Sequence, residues 1–64
     1  MTNFKYRIGS KIKYQSTGGD MRTIIVEYKS SDIKNGRPGF DGVTVDTGYP
    51  VWGYDNQIVA VVDF

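Results

Sequence analysis

Apolar and polar residues alternate along this chain in short bursts, each ended by glycine, proline or a small polar cluster. In KIKYQ, residues 11–15, Ile12 and Tyr14 face one way and Lys11, Lys13 and Gln15 the other. That period of two predicts a half-buried strand. STGGD, residues 16–20, supplies glycines for positive φ and predicts a turn. MRTIIVEYK, residues 21–29, then alternates again. Ile24, Val26 and Tyr28 are the core candidates; Thr23, Ile25, Glu27 and Lys29 form the other face. The two strands predict an antiparallel hairpin.

SSDIKNGRPGF, residues 30–40, reads as the longest connection. Ser31 or Asp32 is placed to cap one helical turn ending at Asn35-Gly36. Pro38-Gly39 suits a type II turn. The third strand is expected over 41–46, DGVTVD, with Val43 and Val45 inward. The fourth is PVWGY, residues 50–54, with Pro50 at its start or at an edge because proline cannot donate to a ladder. YDNQ, residues 54–57, suits one 3₁₀ turn.

The last strand, QIVAVVD at 57–63, does not alternate cleanly. Ile58, Ala60 and Val62 are the set with the larger bulk and are expected inward. Val59 and Val61 would then be covered by an N-terminal arm, FKYRIG, through Phe4, Tyr6 and Ile8, or by a dimer mate. No window of eleven or more residues carries a 3.6-residue apolar period, so the expected class is all-β with five strands.

This plan resembles the SH3-like small β-barrel over residues 9–63, with residues 1–8 as an arm and the whole chain one domain. The first hairpin is similar to the KOW and Tudor-type version of that fold. Gly9, Ile12, Gly18, Gly19, Arg22, Ile24 and Val26 occupy the matching places, whereas Thr23-Ile24 stands where KOW-type strands usually carry a Gly. The resemblance implies a five-stranded barrel with a 3₁₀ turn before the last strand, and a surface that binds a macromolecule. Plasmid-borne type II dihydrofolate reductases share the fold and carry Val-Gln-Ile-Tyr at their pore. The nearest segment here, VWGY at 51–54, lacks the Gln.

Composition narrows the chemistry. The 64 residues include no Cys and no His, which removes imidazole bases, thiolate nucleophiles and zinc-finger ligand sets. Asp41 and Asp46 lie five residues apart, on opposite faces of a strand, and make no acid–base pair there. The glycines of STGGD have no following helix and no Lys-Ser/Thr, so they make no phosphate cradle. The expectation is no enzyme, no cofactor and no metal. The longest apolar run is the five residues Ile58 to Val62, against roughly 20 for a membrane span, and no apolar leader is visible. A soluble, cytoplasmic protein is expected.

Binding is left. Nine of 64 residues are Phe, Tyr or Trp, more than so small a core is expected to hold. If Val51 faces in, Trp52 and Tyr54 face out together, flanked by Tyr49. With Lys34 and Arg37 of the long connection, these make the candidate surface for a protein partner. The other reading of Trp52 is a plug at one end of the barrel. A nucleic-acid surface is the alternative. The first 32 residues carry six basic residues against three acidic ones, and Lys11, Lys13, Arg22 and Lys29 are the candidates. A pI of about 8.0 lies below the range of most dedicated nucleic-acid binders. A homodimer through the last strand is the third expectation.

Overall fold

The computed structural model describes residues 5–64. Five strands form one antiparallel sheet: β1 (Lys11–Gln15), β2 (Met21–Lys34), β3 (Arg37–Thr44), β4 (Pro50–Tyr54) and β5 (Ile58–Asp63). Their order across the sheet is β4-β3-β2-β1-β5. A single 3₁₀ turn, Asp55–Gln57, carries the chain from one edge strand to the other. β4 and β5 are not paired, so hydrogen bonds do not close the sheet. No helix among the described residues is long and apolar enough to cross a membrane.

The sheet curls because β2 must bend. Fourteen extended residues would span about 43 Å if straight. The molecule's longest extent is 29 Å. Bulges absorb the curvature. The register with β3 shifts once between Val26 and Tyr28 and again between Ser30 and Lys34. The first half of β2 pairs with β1 and most of its length with β3, so one strand serves both halves of the sheet.

The concave face holds the core: Tyr6, Ile12, Tyr14, Ile24, Val26, Phe40 and Ile58, with Val51 and Val61 packed against them. Both edge strands therefore contribute to one interior. Phe40 is fully buried and anchors it. The Tyr14 ring meets Phe40 edge-on at 5.2 Å and the Tyr6 ring does so at 6.0 Å. Gly53, opposite Phe40 in register, makes room for these rings. A Cβ there would stand 2.8 Å from Phe40 Cζ and 3.3 Å from Tyr14 Cε2.

Several expectations are corrected. Residues 30–40 are not a loop. β2 runs to Lys34, and Asn35-Gly36 is a two-residue hairpin turn with φ of 55° and 70°. Positive φ at both positions is the type I′ geometry that Asn-Gly favours, because its twist matches that of the flanking strands. No helical turn forms, and Pro38-Gly39 lies inside β3. The inward residues of β3 are Phe40, Gly42 and Thr44. Val43 is half-buried on the other face and Val45 is exposed. Tyr28 is exposed because the bulge before it reverses the strand's alternation. In β5, Ile58 is buried, but Val62 is exposed and Val61 packs on the core. A register shift opposite Lys13/Tyr14 skips Val59 and swaps the faces.

Tyr6 belongs to the core, Ile8 is exposed, and Phe4 lies outside the described residues. Gly9 N–H donates to the Val26 carbonyl at 2.7 Å and Val26 N–H to the Ser10 carbonyl at 2.9 Å, which docks the arm on β2. The Tyr6 hydroxyl donates to the Asp55 carboxylate of the 3₁₀ turn, with the Gly39 carbonyl 3.2 Å away. Gln57 fixes the turn's other end. Its Oε1 accepts from Tyr54 N–H at 2.8 Å, and its Nε2 donates to the Gln15 carbonyl at 3.0 Å.

Candidate functional site

The outer face of the sheet carries three aromatic residues that the interior does not use: Tyr28, Trp52 and Tyr54. β4 alternates: Val51 and Gly53 turn inward, Trp52 and Tyr54 outward. Register places Trp52 opposite Asp41, which is itself opposite Tyr28, so Tyr28, Asp41 and Trp52 form one row across three strands. Trp52 is 41% exposed, which settles its place on the surface and rules out a barrel plug. Its ring meets that of Tyr54 edge to face, with centroids 5.3 Å apart and planes at 88°. This is the arrangement that aromatic quadrupoles favour.

The β2–β3 hairpin brings two cations onto this pair. Lys34 and Arg37 face each other across the Asn35-Gly36 turn. Lys34 Nζ lies 4.4 Å from the Trp52 ring centre, and the Arg37 guanidinium 4.5 Å from that of Tyr54. Both distances are within cation–π range. The turn is tied down on both sides. Gly36 N–H donates to Asp32 Oδ1 at 2.8 Å, and Asn35 Nδ2 donates to the Tyr54 hydroxyl at 3.3 Å. Four of the five residues expected at the partner surface thus meet: Lys34, Arg37, Trp52 and Tyr54. Tyr49 does not. It sits beyond the other end of β4, beside an open depression of about 500 Å³ that Arg22, Asp46 and Thr47 also line. Thr44 and Thr47 there bond each other at 2.7 Å, and Thr44 Oγ1 accepts from Tyr49 N–H at 2.9 Å. These hydroxyls build the turn.

The four basic residues of the nucleic-acid alternative fall on two faces. Lys11 and Lys13 stand on the outer face opposite Ile25 and Thr23. Arg22 stands opposite the buried Tyr14, on the concave side, with Asp20 at 3.8 Å. Lys29 stands opposite Phe40 and folds back over the Tyr6 ring at 4.3 Å, donating to the Tyr6 carbonyl at 2.8 Å. It works as a rim for the core.

The perturbed titrations also belong to the core. Burial pushes the Tyr6 hydroxyl far above the usual tyrosine range; its hydrogen bond to Asp55 and that carboxylate's charge add to the effect. Burial raises Tyr14 as well, partly offset by the Arg22 charge. Among the described residues, no three His, Cys, Asp or Glu side chains gather as a metal site.

No protein-family model, curated protein or solved structure was found to match the chain.

Sequence reasoning found Trp52 and Tyr54 through Val51. It missed how Lys34 and Arg37 reach them, and it missed Tyr28 and Asp41 as neighbours. The available signal was Asn35-Gly36 between two alternating runs, which marks a hairpin and puts residues 34 and 37 side by side.

Proposed function

We propose that this chain is a small binding module of the SH3-like barrel type. Its contact surface for another protein is the outer face of the β2–β3 hairpin and β4, centred on Trp52. The strand order, the bent and shared β2 and the 3₁₀ turn before β5 support the barrel assignment. The observation that carries the function is the exposure of Trp52. A chain this small needs all the apolar burial it can get, yet its largest side chain stands 41% exposed with a second ring and two stacked cations beside it. Trp, Tyr and Arg are the residues that dominate binding energy at protein interfaces.

The test is affinity capture from a nuclease-treated lysate of the source cells, with the wild type and Trp52→Ala as baits. Proteins retained by the wild type and lost by a folded Trp52→Ala support the reading. Identical retention by both baits overturns it. The nucleic-acid alternative draws less support, because its four cations are split between two faces. Self-association through β5 has one observation in its favour: Val59 and Val62 are exposed on an edge strand, 45% and 57% respectively. Sedimentation at two concentrations separates it from capture of a different protein.

A further inference from the structure

We infer that the partner presented to this surface is an acidic peptide segment, whose carboxylates are gripped by Lys34 and Arg37. This rests on the binding reading above and names the chemistry of its partner. Two like charges directly across a strand pair, with Cβ atoms about 5 Å apart, destabilise a hairpin. Among the described residues neither makes an ion pair; the single pair found is Arg22 with Asp20, elsewhere on the sheet. Asp32, the acid closest in sequence, is turned to the Gly36 N–H. The fold therefore holds two cations side by side at the hairpin tip with no carboxylate partner among the described residues.

The rings explain how they are held and what they exclude. Trp52 and Tyr54 each carry one of the chain's own cations within 4.5 Å of the ring centre. An incoming trimethylammonium or lysine would have to displace a tethered cation of the same sign, so a cationic ligand is disfavoured. A stacked base would meet the same cap. The donors of Lys34 and Arg37 that point away from the rings stay available, and stacking restricts their motion before a ligand arrives. An arginine fork fits a carboxylate with two parallel hydrogen bonds. Asp41, beside Trp52 in register, repels any anion laid over the middle of this face and confines anion binding to the hairpin tip. Two adjacent cations there match one or two discrete carboxylates, whereas a phosphate backbone needs a continuous positive track.

The experiment uses the whole chain and three probes of defined chemistry: a fluorescein-labelled Glu heptapeptide, a Lys heptapeptide and an oligothymidylate of matched charge. Binding is read by probe anisotropy and by emission from the lone Trp52, at low and at physiological salt. The Glu peptide is expected to bind and to perturb Trp52. The Lys34→Gln/Arg37→Gln double variant should lose about tenfold in affinity, the scale that two exposed charge pairs allow. That variant keeps the core and is checked for fold by circular dichroism. Equal or tighter binding of the oligothymidylate overturns the assignment in favour of nucleic acid. So does undiminished Glu-peptide binding by the double variant, or no Glu-peptide binding at low salt. If lysate capture still depends on Trp52 while the double variant captures as well as the wild type, the acidic partner is wrong and the binding surface stands. If capture ignores Trp52, the binding reading itself fails.

Discussion

Gly53→Ala sets two effects of opposite sign against each other, and the structure says which wins. Gly53 is buried in β4 with an ordinary negative-φ strand backbone, so alanine meets no backbone strain there. Removing a glycine from such a position normally stabilises a protein by about 0.4–1 kcal/mol, by restricting the unfolded chain. Here the new methyl would stand 2.8 Å from Phe40 Cζ, 3.1 Å from Gln57 Oε1 and 3.3 Å from Tyr14 Cε2. Gln57 can swing away, at the cost of its bond to Tyr54 N–H. Phe40 cannot move freely, because it is fully buried between Tyr6 and Tyr14. Overpacking of this kind costs roughly 1–3 kcal/mol. The total stability of a 64-residue domain is of order 3–10 kcal/mol, so the loss is easily measured. Urea unfolding followed by Trp52 fluorescence should show a lower midpoint with an unchanged slope. Gly53→Ala combined with Phe40→Leu should lose less than the sum of the two single changes, since the smaller side chain relieves the clash. A neutral or stabilised Gly53→Ala would refute the packing described for this end of the core.

Three further outcomes follow from the same structure. Phe40→Ala, which empties the centre of the core, should cost about 3–5 kcal/mol and leave a large unfolded fraction at room temperature by circular dichroism. Gly36→Ala places a side chain at φ 70° and should cost roughly 1–2 kcal/mol in urea unfolding, with weaker Glu-peptide binding as Lys34 and Arg37 lose alignment. Both Tyr6 and Tyr14 have hydroxyl pKa values raised by burial, so their contribution to stability is complete below the ordinary tyrosine value near 10 and is lost as pH climbs above it. Tyr6 should add a slope of about 1.4 kcal/mol per pH unit above that point, Tyr14 should add to it in the same direction, and Tyr6→Phe should remove the larger share.

Where the alternation runs unbroken, the strands were legible. Ile12 and Tyr14 in β1, Ile24 and Val26 in β2, and Val51 in β4 all face the core as their spacing implies. The 3₁₀ turn followed from Asp55 and Asn56 standing where no strand former does. Bulges hid the rest. The slip at Glu27 turns Tyr28 outward, and the slip at Val59 brings Val61 in place of Val62. A bulge follows from curvature that the whole sheet imposes, and no local pattern announces it. β3 was misread for a different reason: Gly39 and Gly42 are buried, but a glycine leaves no apolar mark in a hydropathy pattern. The site was half legible. Trp52 and Tyr54 share a face by simple alternation, whereas Lys34 and Arg37 join them only because the Asn35-Gly36 turn pairs residues 34 and 37 at the end of β3 that lies beside Tyr54.

The claim that the Trp52 face serves contact and not folding is tested most directly by urea unfolding of Trp52→Ala, followed by circular dichroism beside the wild type. More than half of the indole is covered, so its removal loses burial as well as the ring and cation–π contacts, about 2–4 kcal/mol in all; the variant should stay folded and lose less than Phe40→Ala. A loss equal to or greater than that of Phe40→Ala, the fully buried core aromatic, would show that the indole holds the sheet together, contradicting the account.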